Sequence, residues 1–240
     1  SETEAEMLAD YIEGGGKLLV MAGPVEDAEL TNLYSLLEPY GVTPVEGVVV
    51  EGDRAPYAFS APAAPMPDMA ESSITSSLID EGYYPILPVA TGLEVGENTT
   101  SATVTELLTT SDESFSKLAG YDMTTYDKED GDIDGPFALA VQVEYSDGGA
   151  MVWFTSSAFI SDMYNAYSSG ANVNLTMNAL SELIGESETM AIRAKSLNYN
   201  YLTISDSVSG LLKVLMIGVI PLAFLGVGIA VAVRRRRLLK

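Results

Sequence analysis

PFALAVQVEYSDGGAMVWFTSS, residues 136–157, holds two apolar runs separated by a four-residue break. The first run, PFALAVQVEY (136–145), is the clearest strand in the chain. SDGG (146–149) is a hairpin turn signal, with Asp and Gly where a tight reversal needs them. The second run, AMVWFTSS (150–157), is then the next strand, antiparallel to the first. Trp153 in that strand is expected in the core.

Working upstream, SETEAEMLADYIEGGGKLLVM (1–21) opens with capping-box spacing, Ser1 to Glu4. Ala5, Leu8, Ala9 and Ile12 recur at helical spacing, and Gly14 to Gly16 end the helix. KLLVM (17–21) suits a buried strand. Leu30, Leu33, Leu36 and Leu37 mark a second helix that Gly41 ends, and VEGVVVEG (45–52) is a second strand. Strand, helix, strand with a preceding helix is the α/β pattern, which predicts a mostly parallel sheet flanked by helices. The chain starts without Met, so a further strand is expected upstream of Ser1.

Residues 53–70, rich in Pro and Ala, read as an extended surface segment. A strand is predicted near Tyr84–Leu87, a strand or turn followed by a polar stretch over 103–118, and an acidic loop over 124–135. NVNLTMNALSELIG (172–185) is a helix with Leu175, Ala179, Leu180, Leu183 and Ile184 inward. TMAIRAKS (189–196) is a last short strand or extended exit, and no internal repeat is evident. The predicted organisation is an α/β domain over 1–200, a neck over 201–210, a transmembrane helix over 211–233 and a basic tail over 234–240.

Charge is distributed unevenly. Residues 1–210 carry all 34 acidic residues and six basic ones, 6 minus 34 or −28. Residues 211–240 carry the other six basic residues and no acid. So negative a domain repels the phosphate backbone, which excludes nucleic acid as a partner. From Val214 to Val233 there are twenty uncharged residues, about 30 Å as a helix and enough for a hydrocarbon core. Arg234, Arg235, Arg236 and Arg237 follow at once, and by the positive-inside rule they predict a cytoplasmic C-terminus with residues 1–210 outside the cell membrane. The lipid bilayer is then a partner.

The chain has no cysteine and no histidine. That removes disulfides, thiolate and imidazole ligands, and every Ser-His-Asp or Cys-His arrangement. Asp130, Asp132, Asp134 and Gly135 match the opening of a calcium loop, but Val141 stands at the twelfth position where a bidentate Glu is needed. The three aspartates are the candidate metal ligands, against a solvated acidic turn. Thr155, Ser156 and Ser157 end a strand where α/β folds place functional loops, but with no histidine a serine nucleophile has only Lys or a carboxylate to activate it. Lys17 and Lys117 have no sequence reason to meet Ser156. EGGGKLL (13–19) lacks the spacing of a phosphate loop. No cofactor and no catalytic residue are expected.

EAEMLADYIEGGGKLLVM, YGVTPVEGVVVE, TELLTTSDESF, DGPFALAVQVEY, MVWFTSSAFIS, NLTMNALSELIGE, MAIRAKSLNYNYLTIS and IPLAFLGVGIAVAVRRRR, in this order, resemble the gliding-motility-type (GldG-like) auxiliary proteins of ABC-2-type transporters. The resemblance implies an extracytoplasmic domain related to class I glutamine amidotransferase-like folds, beside an ABC permease and its ATPase. The amidotransferase relatives use Cys and His, which this chain lacks. The function expected is a non-catalytic, membrane-anchored auxiliary subunit of an ABC-type export system. Its outer domain would bind permease, substrate or an envelope component, with motion passed through LTISDSVSG (202–210). One alternative is a membrane-anchored hydrolase using carboxylate pairs such as Glu144 with Asp147 or Asp130 with Asp134. The other is a stand-alone surface receptor or adhesin.

Overall fold

In a computed structural model, residues 1–52, 58, 61–146, 148–185, 213–222, 224–226, 228 and 234–235 are described. The chain divides into two compact units, Ser1–Ser196 and Leu197–Lys240. In the first unit the ammonium and hydroxyl of Ser1 both donate to the Glu4 carboxylate at 2.8 Å. Helix α1 (Glu2–Glu13) follows and buries Ala5 and Ile12. Strand β1 (Lys17–Met21) matches its apolar run residue for residue. The second helix is shorter than its leucines predict. Helix α2 (Thr31–Tyr34) is one turn, and a 3-10 turn at Glu38–Tyr40 follows it. Pro39 cannot extend the hydrogen-bond ladder, and Gly41 turns out of it at φ 73°.

The predicted strand over 45–52 is two strands of different sheets. Strand β2 (Val42–Val45) joins the large sheet and β3 (Val48–Val50) a small one. Gly47, at φ 102°, makes the switch between them. A Cβ there would stand 2.4 Å from the Lys117 carbonyl oxygen, so only glycine fits. Strand β4 (Asp68–Met69) and helix α3 (Ser76–Glu81) come next. The strand predicted near Tyr84–Leu87 is absent. Pro85 and Pro88 remove ladder donors, and the chain enters β5 (Gly92–Val95) only after them. Strands β6 (Thr103–Thr109) and β7 (Phe115–Lys117) divide the 103–118 stretch, and β8 (Ile133–Asp134) closes the acidic loop. The hairpin forms as read: β9 (Ala138–Glu144) pairs antiparallel with β10 (Ala150–Phe154), from Ala150 opposite Glu144 to Phe154 opposite Ala140. Helices α4 (Asp162–Tyr167) and α5 (Ala171–Ile184) complete the described part of this unit.

The expected mostly parallel, class I glutamine amidotransferase-like sheet is corrected. The large sheet runs β1-β10-β9-β5-β2, with β6 also on β9 and β4 on β6. Among the described residues only β1 with β10 is parallel; the β10–β9, β9–β5, β5–β2, β6–β9 and β4–β6 pairs are antiparallel. The small sheet, β3-β7-β8, is antiparallel throughout. The physical reason is connection length. Five residues, 145–149, join β9 to β10, whereas a parallel neighbour needs a crossover of about a dozen residues. The result is a mixed, mainly antiparallel sheet.

Both faces of that sheet are covered. Along β10, Ala150, Val152 and Phe154 pack with Leu175, Ala179 and Leu183 of α5. Met151 and Trp153, on the other face by the two-residue period, pack with Ile12 of α1 and with Tyr34 and Leu37. A side chain of this size contributes about 1.5–3 kcal/mol when fully buried. Of the residues predicted to face inward on α5, Leu175, Ala179 and Leu183 do so, whereas Leu180 and Ile184 are exposed.

In the second unit, residues 213–222 are helical, with Val214–Val219 a π-helix. The C-terminal transmembrane helix is corrected: among the described residues no helix is long and apolar enough to cross a membrane. The cell-membrane placement, with residues 1–210 outside and a cytoplasmic tail, rested on that span and falls with it. Arg234 and Arg235 are exposed. Arg236, Arg237, the neck 201–210, the strand expected over 189–196, and residues 211–212, 223, 227 and 229–233 of the expected span lie outside the described residues.

Candidate functional site

The acidic loop wraps a lysine of the chain itself. Lys117, at the end of β7, has a fully buried side chain. Its ammonium donates to the Asp127 carbonyl at 2.7 Å, to Glu129 at 2.8 Å and to Asp132 at 3.3 Å. Asp132 also accepts the backbone N–H of Leu118 at 3.1 Å and of Glu129 at 2.9 Å. Hydrogen bonding to Glu129 raises the Lys117 ammonium above the ordinary lysine range against the pull of burial. Burial alone would raise the Asp132 carboxyl, but the two backbone donors and Lys117 together hold it below the ordinary carboxylate range.

The calcium candidates therefore separate. Asp132 turns inward to Lys117, Asp134 pairs with Lys128, and Asp130 is exposed. Among the described residues no group of three or more acids is placed to hold a metal ion. Lys117 is the signal that sequence reasoning passed over: a lone lysine on a short strand just before a run of acids.

Thr155 and Ser156 are fully buried. The Thr155 hydroxyl donates to the Leu139 carbonyl at 2.9 Å, and that of Ser156 to the Pro88 carbonyl. Both tie the end of β10 to neighbouring backbone. Lys17 is exposed at the start of β1, and Lys117 is held by the acidic loop, so the structure places neither as a base for Ser156. Of the carboxylate pairs, Asp147 lies outside the described residues, and Asp134 is engaged by Lys128.

A cleft opens beyond the C-terminal end of β1, with a volume of about 970 Å³. Three segments wall it: 23–31 after β1, 44–48 at the β2–β3 switch, and 118–122 after β7. Gly23 lets the first segment run against the sheet, since a Cβ there would meet the Thr155 carbonyl oxygen at 2.9 Å. The Tyr121 hydroxyl donates to the Pro24 carbonyl at 2.8 Å and so joins the first and third walls. Ser116 donates to the Glu46 carbonyl at 2.6 Å, which fixes the second. The bonds from Asp132 to the Leu118 N–H and to Lys117 brace the third, so the acidic loop supports the cleft from behind.

Tyr34 forms part of the lining, with its hydroxyl donating to the Ala22 carbonyl at 3.0 Å and its ring 5.1 Å from that of Trp153. Burial raises the Tyr34 hydroxyl above the ordinary tyrosine range, with Thr91 and Trp153 working against that rise. The buried indole N–H of Trp153 has no hydrogen-bond acceptor among the described residues. Glu26, Asp27, Glu29, Glu38, Glu46 and Asp122 line the cleft and are exposed, and among the described residues no Lys or Arg does. Val25, Leu118 and Tyr121 also line it and are among the exposed large apolar side chains. The acids of VEDAE (25–29) were visible in the sequence; the two distant segments that face them were not.

No protein-family model and no curated protein matches the chain. Among solved structures it is similar to the mmIFT52 N-terminal domain, with a TM-score of 0.53 and 19% sequence identity over 76% of this chain and 71% of that chain. At that identity the likeness shows the fold alone. The neighbour is named as an IFT52 domain and not as the class I glutamine amidotransferase-like fold expected from the sequence.

Proposed function

We propose that the chain is a non-catalytic auxiliary subunit of an ABC-type export system, whose unit Ser1–Ser196 binds the permease, the exported substrate or an envelope component. The observation that supports a binding domain is the structural employment of its candidate reactive groups. Ser156 and Thr155 are buried against backbone carbonyls, and the Lys117 ammonium is surrounded by acceptors. A nucleophile needs a base within hydrogen-bond reach, and among the described residues each hydroxyl is bonded to a backbone carbonyl instead. Lys117 with Asp132 instead braces one wall of an open cleft, the form of a docking surface. The exporter itself is supported by the GldG-like segments of the sequence.

Affinity purification with the whole chain as bait, from cells that express it, is the test. Recovery of an ABC permease together with its ATPase is the expected result. Recovery of neither overturns the exporter assignment. Genes for a permease and an ATPase beside this one are expected on the same grounds.

A further inference from the structure

We infer that the cleft walled by 23–31, 44–48 and 118–122 takes a peptide segment bearing arginine or lysine side chains. This rests on the reading of the domain as a binding module and adds the chemistry of what it binds. Two independent features of the cleft converge on that occupant. The first is charge of one sign: six exposed carboxylates line it, with no described basic residue among them. Carboxylates around a concavity of low dielectric focus a negative potential into it, which attracts and orients a cation. The second is exposed apolar surface in the same concavity. Val25 is 45% exposed, Leu118 41% and Tyr121 50%, and large side chains left open in a cleft mark a contact site.

A metal ion would satisfy the first feature and leave the second unused. An apolar ligand would do the reverse. Arginine and lysine combine an apolar stem with a cationic head, and so match both. The guanidinium also stacks on aromatic faces, and Tyr121 offers one, held in place by its bond to Pro24. The volume of about 970 Å³ suits several side chains of an extended segment rather than one small ion. The walls are pre-formed by the Tyr121, Ser116 and Asp132 hydrogen bonds, so little ordering opposes binding.

The test is fluorescence anisotropy with the whole chain and a short labelled peptide of alternating arginine and leucine. Saturable binding is expected, weakening as salt is raised. The double variant Glu29→Lys with Asp122→Lys is expected to raise the dissociation constant about tenfold or more. Glu71→Lys with Asp80→Lys makes the same charge change near α3, whose Leu78 packs in the core on the opposite face of the sheet from Tyr34. That variant is expected to stay within about twofold of the unsubstituted chain. Equal weakening by both variants overturns the proposal, because the attraction then belongs to the whole acidic domain. So does equal affinity for an arginine–serine peptide, which would leave the apolar lining without a part, or absence of saturable binding by the unsubstituted chain. Emission of buried Trp153, unchanged in each variant, confirms that the fold is intact. Peptide binding without recovery of a permease removes the exporter assignment and leaves the cleft. Recovery of permease and ATPase by an unsubstituted chain that shows no saturable peptide binding removes the cleft and leaves the exporter.

Discussion

Asn172 ties the start of α5 to backbone 86 residues away. It is fully buried at the start of α5. Its amide oxygen accepts the Ile86 N–H at 2.8 Å, and its amide nitrogen donates to the Ile86 carbonyl at 2.9 Å and to the Phe159 carbonyl. Across the Pro85–Pro88 stretch the Leu87 and Val89 N–H groups donate to the Pro65 and Ala63 carbonyls, and the Asn172 amide takes up both backbone groups of Ile86. Asn172→Leu keeps the branched shape, adds volume and strands three buried backbone groups, with an expected loss of about 2–5 kcal/mol. A urea titration followed by Trp153 emission measures it as a lower midpoint at unchanged slope. Asp132 carries the pH dependence of the acidic loop. A carboxyl held below its ordinary pKa contributes stability above about pH 4, and loses it as pH falls through the lowered value. Asp132→Asn is therefore expected to be less stable than the unsubstituted chain at neutral pH, with the gap closing below about pH 4. Hydrogen exchange at the Leu118 and Glu129 amides, whose acceptor is this carboxylate, is expected to speed up in the variant. A gap independent of pH would contradict that account.

At the scale of elements, α5 shows where pattern reading loses resolution. Its sequence carries apolar residues around most of its circumference, so periodicity alone does not choose the buried face. The sheet chooses it. Ala171, Leu175, Ala179 and Leu183 lie against β10, and Val173, Met177, Leu180 and Ile184 are left outside. Leu175→Ala is expected to destabilise by about 2–5 kcal/mol. Leu180→Ala is expected to change stability by about 0.5 kcal/mol or less. Chemical denaturation of the two variants separates them, and equal losses would mean that Leu180 is covered. The β2–β3 segment shows a second limit. VEGVVVEG reads as one strand because six of its eight residues suit one or can be tolerated in one, but Gly47 sends the second half to another sheet. The close approach of the Lys117 carbonyl that requires glycine there comes from residues seventy positions away and leaves no local signal.

On the scale of the whole molecule, charge repulsion is the term that no single contact reports. The 34 acids outnumber the basic residues almost threefold, and the described ion pairs engage few of them. Compacting such a chain works against its own field. Moderate salt, which shortens the screening length to about 8–10 Å, is expected to raise the urea midpoint. A midpoint that falls with added salt would mean that attractive pairs dominate instead.

Much of the fold was legible one element at a time. The hairpin, β1, α1, α5 and the core position of Trp153 follow from runs, caps and glycines that lie within a few residues of one another. The candidate site was legible only as acids: the acidic loop drew the eye to a metal, and Lys117 takes the central place that a metal would occupy.

The sequence by itself determined the strands of the hairpin, the helix that follows them, the excess of acid, and the absence of imidazole and thiol chemistry. Each of these is set by composition or by neighbours in the chain. Tertiary structure alone decided that the sheet is mixed rather than parallel, which face of α5 is buried, and that segments 23–31, 44–48 and 118–122 enclose one cleft. The physical reason is common to all three. Strand partners and cleft walls are set by backbone hydrogen bonds and side-chain packing between residues far apart in sequence, and a local pattern of apolar and polar residues is compatible with more than one such partner.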